Sequence, residues 1–254
     1  MTSRPSPRLI GSVLALTAAL GAYCYAQPGR RLESAPDRSL ITVIRVKPEM
    51  LSEWLELQRK AVVPALKKAG LTSRIVYTSP AFGTAFEYMI VQPMKKFGDF
   101  DLAESRAEAL GSVVDAALAE RLRKCVISTS SFLSTALPDL SNPPENSNPP
   151  VIQFLRLRIA PGKMEEYQAL YKTEVVPALK KANANVIVAS RRLGTDGYDL
   201  TFETALTKFA DLDAPPALFR ALGPQGVANL TAKLNDLAIV MENTILVREG
   251  DLSF

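Results

Sequence analysis

The octapeptide VVPALKKA occurs twice in the chain, at Val62–Ala69 and at Val175–Ala182. The match is the peak of a longer one at an offset of 113. IRVKPEMLSEWLELQRKAVVPALKKA lies over LRIAPGKMEEYQALYKTEVVPALKKA, so Arg45, Pro48, Glu53 and Leu57 recur as Arg158, Pro161, Glu166 and Leu170. Further on the offset is 112. KFGDFD at 96–101 lies over KFADLD at 208–213, and PDLS at 138–141 over GDLS at 250–253. The one-residue change is placed in the loops around SPAFGT and RLGTDG, where a hairpin can absorb it. A period near 110 residues is too long for a solenoid repeat and suits a duplicated domain.

The boundary between the copies is legible in composition. SNPPENSNPP (141–150) holds four prolines and three asparagines and nothing apolar. It can neither continue a helix nor enter a sheet interior. The chain therefore divides into a first repeat at 38–137, a linker at 138–150 and a second repeat at 151–254.

Within each copy the hydrophobic period changes in a fixed order. ITVIRV reads as a strand. KPEMLSEWLELQRKAVVPALKKAG reads as a helix, with Pro48 in its first turn and Gly70 just past its end. Leu51, Trp54, Leu55, Val62, Leu66 and Ala69 form its apolar stripe. Pro64 and Pro177 fall inside these helices. An interior proline costs about 3 kcal/mol through a lost hydrogen bond and a clash with the preceding turn. Both helices should therefore bend or restart there. SRIVYTS and TAFEYMIVQ read as a hairpin, ESRAEALGSVVDAALAERLRKC as one or two helices, and VISTSSFLST as a last strand. VIQFLRLRI to MENTILVRE repeats this order. The fold class is α+β: two tandem ferredoxin-like βαββαβ repeats.

A ferredoxin-like sheet has helices on one face only, so its other face needs a cover. Strand alternation separates the two faces. Leu155, Leu157 and Ile159 point one way, and Phe154, Arg156 and Arg158 the other. Ile44 and Val46 oppose Val43 and Arg45. Phe86, Tyr88 and Ile90 oppose Glu87, Met89 and Val91. Tyr198, Leu200 and Phe202 oppose Asp199, Thr201 and Glu203. The first set of each is apolar and belongs under the helices. The second is mixed. With the first and third strands adjacent, Arg45 lies near Glu87 and Arg158 near Asp199. These pairs either line the space between two stacked sheets, fix register, or remain solvated charges.

A tandem βαββαβ unit whose open sheet face is covered by a second copy resembles the dimeric α/β-barrel superfamily, over residues 38–254. Within it the chain is similar to the NIPSNAP-like and antibiotic-biosynthesis-monooxygenase-like groups. The resemblance implies sheet-to-sheet packing as an intramolecular barrel, a pseudo-dimer within one chain where most relatives are homodimers. It also implies a pocket between sheet and helices in each half. Haem-using relatives depend on a histidine ligand, and this chain contains none. Cofactor-free monooxygenase relatives use a tryptophan with nearby asparagine and tyrosine. Trp54 is the sole tryptophan and Tyr167 its counterpart, but no asparagine lies in either first helix.

The missing histidine also excludes Ser–His and Cys–His nucleophile systems and the usual Cys/His zinc sites. No phosphate-cradling or dinucleotide glycine motif is present. No cofactor and no metal is expected. Glu53 and Glu166 adjoin the aromatic pair. Either they act as general bases beside an apolar pocket, or they are exposed first-turn acids favoured by the helix dipole. Trp54 itself is either core or pocket. Cys125 aligns with Leu237 and reads as a small core residue. The pocket candidates are thus Trp54, Tyr167, Glu53, Glu166, Arg45, Arg158, Glu87 and Asp199, with no catalytic residue assigned.

The front end reads as an export signal over residues 1–26. Arg4 and Arg8 precede an apolar run, Leu9–Leu20, and Cys24 and Ala26 are small residues before a cut ahead of Gln27. An uncleaved membrane anchor is the alternative. Without Arg4 and Arg8 the formal net charge falls from +4 to +2. That leaves no basic stripe for nucleic acid. The expected protein is exported, to the periplasm or beyond, and binds a small hydrophobic ligand or a partner. The alternative is a cofactor-independent monooxygenase or isomerase acting on a hydrophobic substrate. Whether it is an enzyme at all stays open.

Overall fold

The computed structural model describes residues 38–94, 96–100, 115–144, 148–194 and 197–254. The expected export segment lies outside them, as do residues 104–114 of the expected helical stretch 104–125. No helix among the described residues is long and apolar enough to cross a membrane.

The first half contains β1 (Arg38–Val46), α1 (Leu51–Leu57), α2 (Val63–Lys68), β2 (Ile75–Thr78), β3 (Glu87–Met94), α3 (Ala116–Cys125) and β4 (Val126–Ala136). The second contains β5 (Val151–Ile159), α4 (Met164–Leu170), α5 (Val176–Lys181), β6 (Val186–Gly194), β7 (Leu200–Leu206), α6 (Ala217–Leu234) and β8 (Ala238–Arg248). The eight strands form one closed antiparallel barrel in the order β1-β3-β2-β8-β5-β7-β6-β4. Each half contributes four consecutive strands with the same internal order, β4-β1-β3-β2 and β8-β5-β7-β6.

The sequence suggested two sheets facing each other. The halves instead join edge to edge, through β2 with β8 and β4 with β6. An open edge strand leaves a row of unpaired backbone donors and acceptors, and closure satisfies both rows. At the β4–β6 seam the backbones run very close. Gly194 there has φ 115°, and a Cβ on it would lie 2.5 Å from the Cβ of Phe132, so only glycine fits.

The prolines are accommodated by one device in both halves. A π-helical turn, Gln58–Val62 or Tyr171–Val175, separates the two helical segments. Val63 N–H reaches back to Gln58 O, and Val176 N–H to Tyr171 O. The wider turn carries the ladder past the proline, which lacks a donor and would collide with a carbonyl in an α-helical turn.

Equivalent hydrogen bonds locate the one-residue change between the halves. Leu71 N–H donates to Leu66 O and Ala184 N–H to Leu179 O, an offset of 113. Val76 pairs with Ile90 and Val188 with Phe202, an offset of 112. The change therefore lies in the turn before β2 and β6, and the hairpins that follow are of equal length. After each last strand the chain crosses to the opposite half. Asn142 exchanges two backbone hydrogen bonds with Val186, and Phe254 exchanges two with Arg74, all at 2.8 Å.

Three apolar clusters follow from strand alternation. Val46, Trp54, Leu57, Val76, Tyr88 and Ile90 belong to the cluster under the first-half helices. Leu157, Tyr167, Tyr171, Val186, Leu200 and Phe202 belong to its second-half counterpart. Ile41, Tyr77, Met89, Phe132, Ile152, Phe154, Tyr198 and Leu246 fill the barrel interior. Tyr198 and Phe86 depart from the expected alternation. Both precede their strands, so Tyr198 turns into the barrel and Phe86 is exposed with φ 60°.

Candidate functional site

A cavity of about 470 Å³ lies between the first-half helices and strands β1, β3 and β4. The face above it is not wholly apolar, contrary to what alternation in ITVIRV and EYMIVQ suggests. Thr42 and Gln92 share it with Ile44 and Ile90. Trp54 on α1, Gln58 and Val62 on the π turn and Leu66 on α2 form the helix side. Trp54 is 1% exposed and packs on Tyr88, with ring centroids 4.4 Å apart. Ile127, Ser128, Thr129 and Arg123 are the exposed part of the lining.

The cavity also holds a buried cation. Arg74, just before β2, is 2% exposed. Its Nη2 donates to Gln58 Oε1 at 2.8 Å, and its Nη1 to the carbonyl of Leu252 at 3.1 Å. Gln58 is buried as well. Burial pulls the Arg74 guanidinium down to about 10. The charge is held by the π turn on one side and by the returning C-terminal segment on the other.

In the second half bulky apolar and aromatic side chains occupy the equivalent positions. Trp54, Gln58 and Arg74 correspond to Tyr167, Tyr171 and Val186, and Thr42 and Gln92 to Leu155 and Thr204. Tyr171 lies 5.2 Å from Phe202 and 5.9 Å from Tyr167, ring to ring. Burial pushes both tyrosine hydroxyls well up. Leu155, Val175, Leu179 and Val186 belong to the same packed cluster.

Of the residues singled out by sequence, Trp54 lines the cavity and Tyr167 occupies the filled counterpart. Glu53 faces away and pairs with Arg121 at 3.1 Å on the surface. Glu166 pairs with Lys163 at 2.6 Å, also exposed. Arg45 and Glu87 are direct cross-strand partners, and Arg45 is exposed. Arg158 donates to Gly197 O, while Asp199 Oδ2 accepts from Ile159 N–H at 2.8 Å. These two lie in the wall of a separate shallow hollow of about 330 Å³. Cys125 is fully buried, donates to Arg121 O, and has its thiol pushed up by burial. An open hollow of about 570 Å³ beside the linker, walled by prolines with Lys180, Asn183 and Thr207, contains no aromatic ring and no buried charge.

Sequence reasoning missed Arg74, Gln58, Thr42 and Gln92. The signal available was the comparison of the copies: each polar residue stands where the other copy has a differing, mostly apolar or aromatic one.

The barrel interior carries its own charges. Arg156 pairs with Glu242 and lies over the rings of Phe154 and Tyr198. Arg191 lies over Phe132 and Tyr198. Glu203, on β7, faces inward, and burial pushes its carboxyl up to about 7.

Among solved structures the chain resembles a single-residue variant of chlorite dismutase from Candidatus Nitrospira defluvii. The identity is 10% and the TM-score 0.56, covering 87% of this chain and 94% of that one. An anthrone oxidase-like protein matches at 9% identity and a TM-score of 0.53, over 85% and 92%. A Lactobacillus acidophilus protein assigned as a monooxygenase matches at 11% and 0.52, over 86% and 96%. This is the dimeric α/β-barrel fold. No protein-family model and no curated protein sequence matches the chain.

The family resemblance drawn from the sequence includes haem-using members, so fit to haem can be asked of the cavity itself. None of its described lining residues is a His, Cys, Met or Tyr, the usual axial ligands of haem iron. The cavity does not fit a ligated haem. Among the described residues no group of three or more His, Cys, Asp or Glu side chains converges to hold a metal ion.

Proposed function

We propose that the protein binds a small hydrophobic molecule in the cavity under the first-half helices. The observation that carries this reading is the asymmetry between the halves. One fold positions two equivalent spaces; one is packed with Tyr171, Phe202 and Val186, and the other is open around Gln58 and Arg74. A fold that needed only a core would fill both, because unfilled apolar volume costs stability. Inside the barrel Ile41, Tyr77, Phe132, Phe154 and Tyr198 pack on one another, which agrees with ligand binding outside the barrel.

The chain is further read as a fused duplicate of one βαββαβ unit, with repeats at 38–137 and 151–254. The repeated strand order and the crossed tails support this. Export through residues 1–26 rests on Arg4, Arg8 and the apolar run that follows. The NIPSNAP-like and antibiotic-biosynthesis-monooxygenase-like likeness rests on element order alone.

The test uses N-phenyl-1-naphthylamine, a small neutral dye that brightens in apolar sites. It should bind saturably, one per chain, and quench Trp54 by energy transfer. Gln58→Tyr, which copies the second half, should abolish binding without unfolding the protein. Binding that is non-saturable, or equal in Gln58→Tyr, overturns the reading.

A second reading is cofactor-independent oxygenation or isomerisation of such a molecule. Trp54 at the cavity wall beside a cation favours it, and proteins described as monooxygenases share the fold. Oxygen uptake with an anthrone or quinol substrate, lost in Trp54→Phe, is its test.

A further inference from the structure

The buried guanidinium is unexplained by the fold. Arg74 immediately precedes β2 and closes a two-hydrogen-bond bridge with Phe254. Val186 opens β6 and closes the same bridge with Asn142, using an apolar side chain that packs into the core. The backbone arrangement therefore does not require a charge at this position. Among the described residues no Asp or Glu side chain pairs with Arg74. Its two hydrogen bonds go to neutral oxygens, of Gln58 and Leu252. A buried guanidinium that no acidic side chain neutralises is unfavourable, and an anion beside it offsets that cost.

Each terminal nitrogen of an arginine carries two hydrogens, and the two bonds use one apiece. Gln58 and the Leu252 carbonyl hold the fork in one orientation at the cavity wall. A fork so held matches the paired oxygens of a planar carboxylate. The rest of the wall is the ring of Trp54 with Ile44, Val62, Leu66 and Ile90. We infer that the cavity takes a small monocarboxylate with an apolar body, its carboxylate on Arg74 and its body against Trp54. This rests on the ligand-binding reading above and adds the charge of the ligand. The second half agrees with it: where Tyr171 removes the space, Val186 removes the cation.

The experiment compares two matched compounds on the full chain, 4-phenylbutyrate and 4-phenylbutanamide, by displacement of N-phenyl-1-naphthylamine. The carboxylate should bind at least tenfold more tightly than the amide. In Arg74→Met the preference should collapse to about onefold while the amide still binds. The wild-type comparison decides the matter even where Arg74→Met does not fold. Equal binding of the two, tighter binding of the amide, or dye that neither compound displaces overturns the carboxylate inference alone. Failure of the dye itself to bind overturns the ligand-binding reading beneath it.

Discussion

Replacing Glu203 by glutamine should make the protein more stable at neutral pH and remove a pH dependence. Glu203 lies on β7, with Phe154 and Ile187 as its cross-strand neighbours inside the barrel wall. Burial raises its carboxyl from the ordinary 4.5 to about 7. Tyr77 and Arg248 share this interior. The Tyr77 hydroxyl is pushed up first by burial and then by the charge of Glu203, and is drawn down by Arg248. Between pH 4.5 and 7 the folded protein retains a proton that the unfolded chain releases. Stability from this group is therefore fully present below about 4.5, falls as pH rises to about 7, and is flat above. At about 1.4 kcal/mol per pH unit, the interval is worth about 3 kcal/mol. The assay is urea unfolding followed by Trp54 fluorescence at pH 5 and pH 8, for wild type and Glu203→Gln. The variant should lose that much less stability across the interval. At pH 8 it should melt higher, by roughly 6–12 °C for a domain of this size. An identical pH slope in both proteins, or a less stable variant at pH 8, refutes the reasoning.

Two further outcomes follow from packing. Leu252→Ala removes a side chain with no exposed surface that closes the first-half core from the second half's tail. It should cost about 2–5 kcal/mol in denaturant unfolding, and dye affinity should fall with it because Leu252 belongs to the cluster that seats Trp54. In the barrel, Glu242→Ala should cost about 3 kcal/mol by leaving the Arg156 guanidinium without its partner. The double change Arg156→Met with Glu242→Leu should lie nearer wild type, as a double-mutant cycle of melting curves will read.

Much of the fold was legible because it depends on local periods. The strand at VIQFLRLRI, the alternation that sends Leu157 to the helices and Phe154 into the barrel, and the Arg45–Glu87 register are all period-two consequences. The proline positions predicted a break in each helix, and the π turns are its form. What was not legible depends on contacts between distant parts. Arg74 before a strand reads as an ordinary polar residue. Its burial is imposed by Leu252 and Phe254, 178 and 180 positions away. Glu53 adjoins Trp54 in sequence, but successive residues on a helix point about 100° apart, so a buried Trp54 turns Glu53 to solvent. Edge-to-edge closure was also out of reach, since unpaired strand edges have no compositional mark.

The most direct measurement is the indole ¹H–¹⁵N signal of Trp54, unique in this single-tryptophan chain. Titration with N-phenyl-1-naphthylamine should move it saturably in wild type, reaching its end point at one dye per chain, and leave it unmoved in Gln58→Tyr. A stationary indole signal while the dye binds, or an end point at two dyes per chain, would place the ligand elsewhere and contradict the account.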